Sequence, residues 1–176
     1  MSCSQTLSGI PASCETNVGG IREVYICNFD DVTAVTISNT DGTAGMVTEI
    51  TMDTAKKFKK YLFKKNTSNL VSTLNVDPAN GINFVQSDLS LVFAKQETAK
   101  RIEMSKLALG ELRVIVRDAN DKYWFLGSEE FVSATAGGAE TGTNRTDGNK
   151  YTLTLTDYCS TFPPEVDPTI ISGLVE

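Results

Sequence analysis

The segment from Leu112 to Gly127 constrains the fold most, because apolar and polar residues alternate in two runs on either side of a polar turn. The runs are Leu112–Asp118 and Tyr123–Gly127, and Ala119–Lys122 separates them. Alternation with a period of two favours strands with one buried face, and Asn and Asp are typical of tight turns. The sequence therefore predicts an antiparallel hairpin here and a fold built mainly from strands.

Similar alternation predicts strands through most of the chain. These runs are Val24–Phe29, Val35–Ile37, Met46–Met52, Asn69–Val76, Ile82–Phe93 and Lys150–Thr156. Asp41-Gly42 and the Pro- and Gly-containing loop 77–81 predict two reversals. Residues 55–65 fit a helix or a strand, and their aromatic content, together with the resemblance given below, favours a strand. Residues 136–148, rich in Gly and Thr, are interpreted as a loop.

Gln96–Leu109 is the one segment with a clear helical period. Its predicted apolar stripe comprises Ala99, Ile102, Met104, Leu107 and Ala108. Gly110 is placed where a helix ends. One amphipathic helix beside seven or eight strands predicts a β-sandwich or open barrel in which the helix covers one gap.

Composition predicts one domain without a membrane segment. The chain has 176 residues, of which 40% are hydrophobic, which is enough for one buried core. Its first residues lack the basic and apolar regions of a signal peptide, and no run of about 20 apolar residues is present. We therefore expect a soluble protein that is not exported, with free thiols at Cys3, Cys14, Cys27 and Cys159.

The sequence shows no catalytic or metal-binding constellation. It has no histidine, which excludes Ser–His and Cys–His dyads and the usual zinc ligand sets. Asp118–Asp121 resembles the start of a calcium loop but lacks the required Gly and distant Glu, so it is interpreted as a turn. Gly137-Gly138 is not followed by the Gly-Lys-Ser/Thr of a phosphate loop. We expect no enzyme activity, metal or cofactor.

The predicted hairpin from Asn69 to Phe93 carries unusually many polar residues for strands that must fill a core. An isolated hairpin is marginally stable in water, whereas pairing edge to edge in a ring removes its open edge. Its polar face could then line a channel. The candidate channel-lining residues are Ser72, Asn75, Asn83, Gln86 and Asp88.

Several phrases of the sequence resemble bacteriophage tail tube proteins, of the kind found in phages of Bacteroides-like hosts. The phrases are Cys14–Ile26, the Asp-x-Asn-x-Lys-Tyr-Trp turn at 118–124, the Gly- and Thr-rich stretch ending in Asp147-Gly148, and Tyr151–Leu155. The resemblance depends on their order and spacing and covers most of the chain.

The prolines of residues 160–176 lack ladder donors, so this segment is predicted to be an extended C-terminal arm. Residues 1–20 are predicted to be an N-terminal arm, and residues 21–159 a tail-tube-like β domain. The resemblance implies an antiparallel β-sandwich or open barrel with one flanking helix and a projecting hairpin that joins the hairpins of neighbouring subunits. It implies a virion structural protein, assembled in the host cytoplasm, that forms rings and stacks them into a tail tube or conduit. Its partners would be copies of itself, other tail proteins and phage DNA that passes without tight binding, and no membrane.

The charge distribution allows a contact between copies. Residues 1–55 carry one basic and seven acidic side chains, residues 56–106 ten basic and four acidic, and residues 107–176 five basic and eleven acidic. Complementary patches can orient association. Lys56, Lys57, Lys59 and Lys60 are the candidate contact residues, and the alternative is a solvated strand edge on which lysine discourages pairing.

Two other functions remain open at the level of sequence. A ring or connector protein of a short tail would use the same fold, because only copy number and neighbours differ. A monomeric β-sandwich that binds surfaces would instead expose Tyr123 and Trp124 as a platform.

Overall fold

Ten strands dominate the structure, a computed structural model that describes residues 9–176. The strands are β1 (Ile21–Asn28), β2 (Val32–Ile37), β3 (Val47–Met52), β4 (Lys59–Leu62), β5 (Asn69–Asp77), β6 (Ile82–Ala94), β7 (Leu112–Asp118), β8 (Tyr123–Leu126), β9 (Ser133–Glu140) and β10 (Lys150–Cys159). The helices are α1 (Thr98–Leu109) and α2 (Pro168–Leu174), and one turn of 3-10 helix follows β1. Residues 9–20 form no helix or strand and are exposed, and the rest of the predicted N-terminal arm lies outside the described residues.

The first sheet has the order β4-β1-β7-β8, and all its neighbours are antiparallel. Its strand β7 contains Val114, Ile115 and Val116, none of which is exposed. Consecutive strand residues point to opposite faces, so both faces of this sheet are covered. The first sheet is therefore the middle layer of the molecule.

The second sheet has the order β5-β6-β10-β9 and is also antiparallel throughout. Leu89 and Leu91 of β6 and Leu155 of β10 point from it into one core. Val24 and Val114 of the first sheet belong to the same core. Two antiparallel sheets thus pack face to face, which confirms the predicted mainly β architecture.

A third layer covers the other face of the first sheet. It consists of the β2–β3 hairpin and α2, whose apolar residues surround Phe58. The hairpin turn follows the predicted Asp41-Gly42, and Gly42 has a positive φ of 89° that favours glycine. Ile115 and Phe125 of the first sheet complete this second core.

The prediction that residues 160–176 form an extended arm is wrong. Val166, Ile171 and Leu174 are buried in the second core. Asp167 caps α2 by accepting a hydrogen bond from the backbone N–H of Thr169 at 2.9 Å, and proline occupies the first turn. Residues 160–176 contain few apolar side chains, and their burial depends on contacts with distant parts of the chain, which the local sequence pattern does not indicate. The prediction of one helix is wrong for the same reason.

Helix α1 lies beside β9, but its apolar residues are less buried than predicted. Leu107 is buried and Met104 partly so, whereas Ile102 is 47% and Leu109 89% exposed. Gly110 follows the helix as expected. It has no left-handed φ, and a Cβ there would lie 2.9 Å from Leu112 Cδ2 and 3.1 Å from Lys106 O, so lack of space is what requires glycine.

Two other predicted boundaries change. Residues 136–140 belong to β9, where they pair with residues 150–154 of β10, so only 141–149 form the predicted Gly- and Thr-rich loop. The hairpin of β5 and β6 does not project as a whole, since β6 pairs with β10 from Val85 to Ala94. Only its tip, residues 75–84, extends beyond β10. Residues 59–62 confirm the strand prediction within the ambiguous segment 55–65.

Candidate functional site

The second sheet ends on both sides in an unpaired strand. β5 pairs only with β6, and β9 pairs only with β10, among residues 9–176. β5 has nine residues and β9 has eight, so both edges are long. Each presents backbone N–H and C=O groups that another strand could pair with.

The C-terminal segment covers part of both edges of the first sheet. Beside β8, the N–H of Phe125 donates to Pro164 O at 2.9 Å and that of Val166 to Tyr123 O at 2.8 Å. Next to β4, the N–H of Phe58 donates to Leu174 O at 3.0 Å. The long open edges therefore belong to the second sheet.

The outer face of the second sheet, which points away from the core, is polar in its middle. Gln86 donates to Asp88 at 3.0 Å, and Thr156 donates to the other oxygen of Asp88 at 2.6 Å. Thr156 also bonds Thr135 at 2.8 Å. This chain of hydrogen bonds crosses β6, β10 and β9 and fixes the side chains of the face.

The five predicted channel-lining residues do not share one face. Asn75, Gln86 and Asp88 belong to the outer face. Ser72 lies opposite Ser87 on the core side and bonds its hydroxyl at 2.7 Å, and Asn83 lies opposite Val76 on that same side, at the hairpin tip. Residues three apart on a strand point to opposite faces, so the sequence period already separated Ser72 from Asn75.

Apolar side chains in and next to the tip of the β5–β6 hairpin were not singled out by the sequence. Leu74 is 48% and Val76 57% exposed, although both point to the core side of the sheet. On the outer face, Ile82 is exposed, and Phe84 packs on Tyr158 with ring centroids 6.0 Å apart. Polar residues lie between these apolar residues in the sequence, so the sequence pattern did not indicate an apolar surface here.

The predicted contact lysines all have partners within the chain. Lys56 pairs with Asp31 at 3.0 Å and Lys60 with Glu23 at 2.8 Å. Lys59 pairs with Glu176, and Lys57 donates to the carbonyl oxygen of Gly173. A contact between these lysines and a neighbouring copy stays a prediction, and it would compete with these pairs. By contrast, the exposed Lys64 and Lys65 form none of the ion pairs among residues 9–176.

Asp157 and Cys159 form a buried polar pair beneath the turn after β8. Asp157 is 2% exposed, and its Oδ2 accepts hydrogen bonds from the N–H of Gly127 at 3.2 Å and from the thiol of Cys159 at 3.3 Å. Burial raises the pKa of Asp157 against these two hydrogen bonds, and burial together with the hydrogen bond to Asp157 raises the pKa of Cys159. Burial also raises the pKa of Cys27 to about 12. A thiol with a raised pKa is a poor nucleophile, so the buried thiols do not form a reactive site.

The turn at 118–122 is structural, as predicted. Asp118 Oδ1 accepts from the N–H of Asn120 at 2.8 Å and of Lys122 at 2.9 Å, and Oδ2 accepts from Trp124 Nε1 at 3.0 Å. Trp124 packs against the first core and Tyr123 against the second. This arrangement does not present them as an exposed aromatic platform.

The free thiols described are Cys14, Cys27 and Cys159, and Cys3 lies outside the described residues. No cluster of three or more His, Cys, Asp or Glu side chains suited to a metal occurs among residues 9–176. In the same part of the chain, neither helix has the length and apolar character needed to cross a bilayer. Comparison with known protein families, curated proteins and solved structures finds no match.

Proposed function

We propose that the protein is a virion structural protein that forms rings, and that stacked rings make a tail tube or tail conduit for DNA. The observation that carries this proposal is the pair of open edges on one antiparallel sheet. The resemblance of the sequence to tail tube proteins supports it independently. A ring or connector of a short tail would use the same surfaces.

Strand direction permits a ring. Three antiparallel steps separate β5 from β9, so these two edge strands run in opposite directions. A copy related by rotation about a ring axis keeps its strand directions, and its β5 would therefore lie antiparallel to β9 of the preceding copy. Repeating this head-to-tail contact closes a ring and leaves no open edge in the second sheet.

The outer face of the second sheet suits the wall of a DNA channel. Its strand positions include the acidic residues Asp77, Asp88 and Glu140 and one basic residue, Lys150, which pairs with Glu140 at 2.7 Å. Tight binding to nucleic acid derives from cations that replace counterions at phosphates. A polar wall with few free cations lets DNA pass without holding it.

The test is the state of the purified protein as its concentration increases. Light scattering after size exclusion and negative-stain microscopy should show annular particles far above the 19.1 kDa monomer mass. Val71→Lys places a charge on the open edge at a half-exposed position and should suppress them while leaving the monomer folded. Ala34→Lys, at an exposed position in the third layer, is the matched control. A wild-type protein that stays monomeric at every concentration contradicts the proposal.

A further inference from the structure

A groove of about 470 Å³ runs between α1 and β9 on the core side of the second sheet. Ser105 and Ala108 of α1 line one wall, and Ala134 and Gly137 of β9 line the other. Met104, Tyr151 and Leu153 also line the groove, which is open to solvent. It lies directly beside the unpaired edge of β9.

Next to the groove, α1 exposes two large apolar side chains to solvent. Ile102 and Leu109 lie seven positions apart, and therefore on one side of the helix, next to Ser105. They are 47% and 89% exposed, respectively. Large apolar side chains exposed beside an apolar groove indicate a surface that binds a partner.

The opposite edge of the same sheet carries side chains that fit this groove. On β5, Leu74 and Val76 point to the core side but lie past the region where the first sheet covers them, and about half of each is exposed. When β5 of one copy pairs with β9 of the next, the core side is continuous across the junction. The two side chains then project to the side on which the neighbour's α1 lies.

Direction and charge agree with this placement. Antiparallel pairing brings the start of β5, preceded by Lys64 and Lys65, to the end of β9 at Glu140. It brings the end of β5, with Leu74 and Val76, towards Ala134 at the beginning of β9. Ala134 and Ala108 line the same groove, so the apolar residues of β5 come close to the exposed end of α1.

We infer that the α1–β9 groove is the docking site for β5 of a second copy, with Leu74 and Val76 as the side chains that enter it. This inference deepens the proposed function and rests on it, because it names the side chains that secure the contact between ring neighbours. Backbone pairing alone gives the two edges little selectivity, whereas filling the groove fixes the register.

The first test changes the size of side chains on the two sides of the proposed contact. Ala108→Trp should block the groove without harming the monomer, since Ala108 is exposed, and Leu74→Ala should remove a side chain that enters it. We expect each change to raise the concentration needed for half-assembly by about tenfold, the effect of losing part of one buried apolar side chain. Ser172→Ala, exposed on α2, is the control and should assemble like wild type.

The second test is a disulfide between copies. One chain carries Leu74→Cys and another carries Ala108→Cys, both in a background with Cys3→Ser and Cys14→Ser. Mixing and mild oxidation should give a covalent heterodimer of the two chains. Leu74→Cys mixed with Ala34→Cys should not, because Ala34 lies in the third layer.

The outcomes separate the inference from the proposed function. If Ala108→Trp forms rings normally and no cross-link exceeds that of the Ala34→Cys control, the groove is not the docking site. Ring formation itself is then not contradicted. A specific cross-link without annular particles supports the groove and contradicts the ring. Cysteine variants that give no specific cross-link, together with a wild-type chain that does not assemble, overturn both.

Discussion

The carboxylate of Glu23 joins three neighbouring strands of the first sheet. It contacts Lys60 of β4 at 2.8 Å and Arg117 of β7 at 3.1 Å, and it accepts a hydrogen bond from Tyr25 of its own strand β1. Burial alone would raise its pKa, but hydrogen bonds from Lys60, Tyr25 and Arg117 outweigh burial and lower the pKa to about 2. The ionised form is therefore favoured by folding.

We predict that Glu23→Gln lowers the free energy of unfolding at pH 7 by about 1.5–3 kcal/mol, the range for hydrogen bonds to a charged group. A lowered pKa stabilises the folded state above the unfolded value of about 4.3, and this contribution is lost as pH falls towards 2. Urea denaturation should show the difference between wild type and variant shrinking across that interval. Glu49→Gln, at an exposed position on β3, is the control and should change stability by less than about 0.5 kcal/mol. A pH-independent difference for Glu23→Gln would contradict the account.

Asp157 presents the opposite case, because burial raises its pKa and Oδ1 has no hydrogen-bond partner among residues 9–176. The folded state then loses stability as pH rises from the unfolded pKa of about 3.9 through the higher folded value. We predict that the stability of Asp157→Asn relative to wild type increases as pH rises above about 4. Asp147→Asn is the control, since backbone N–H groups of Asn144 and Thr143 lower the pKa of Asp147 and the sign reverses. Parallel stability curves for Asp157→Asn and wild type would refute the prediction.

At the scale of elements, the C-terminal segment holds the third layer in place. The carbonyl oxygen of Glu165 accepts a hydrogen bond from the N–H of Val47 at 2.8 Å, and the N–H of Asp167 donates to the carbonyl oxygen of Val47 at 2.9 Å. The same segment pairs with β8, so it connects β3 of the third layer to the first sheet. α2 then buries Ile171 and Leu174 against that layer.

We predict that Leu174→Ala lowers the free energy of unfolding by about 2–5 kcal/mol, because a buried leucine is lost and a cavity remains. Chemical denaturation followed by tryptophan fluorescence measures the change. Ser172→Ala on the exposed side of α2 should change stability by less than about 0.5 kcal/mol. A small effect of Leu174→Ala would mean that α2 does not pack on the core in solution.

Elements stabilised by nearby residues could be predicted from the sequence, and those stabilised by distant contacts could not. The β7–β8 and β5–β6 hairpins have both their alternation and their turn residues within a short segment. The C-terminal segment has three prolines and few apolar residues, so only its contacts with Val47 and Phe58 explain its structure. The polar character of the candidate surface was predicted, but its open edges depend on strand order, which alternation does not specify.

At the scale of the whole molecule, the three layers differ in what they leave open. The first sheet is covered on both faces, and the third layer covers one of them with β2, β3 and α2. The second sheet has one covered face, an outer face that is polar in its middle, and two open edges. Assembly through that sheet would leave the other two layers on the outside of a ring, where the tail proteins proposed as partners could contact them.

This arrangement predicts weak binding to free double-stranded DNA, despite the proposed role in conducting it. The chain has a formal net charge of −6, and Lys150, the basic residue on the strands of the outer face, is paired with Glu140. A gel-shift titration at about 0.15 M salt should show no complex at micromolar protein. The double variant Asn75→Arg/Gln86→Arg should bind DNA detectably and with a steeper salt dependence, since each new phosphate contact releases counterions. Tight binding by the wild type would contradict the proposed channel wall.

The same double variant tests the channel in assembled virions. Asn75 lies in the hairpin tip and Gln86 on the inner strand β6, both away from Val71, where β5 runs beside the part of β6 that pairs with β10. Arginine at these two positions should therefore disturb the pairing between copies less than Val71→Lys does, and tails should form normally. Passing DNA would then meet a ring of unpaired cations at each level of the tube, and we expect ejection to slow or stall. The control is Thr36→Arg/Ser172→Arg, which adds the same charge at exposed positions of the third layer and should eject like wild type. Ejection is measured as DNA released over time after triggering, with tail length checked by electron microscopy. Unchanged ejection by the Asn75→Arg/Gln86→Arg virions, with normal tails, would show that these side chains do not line the path of the genome.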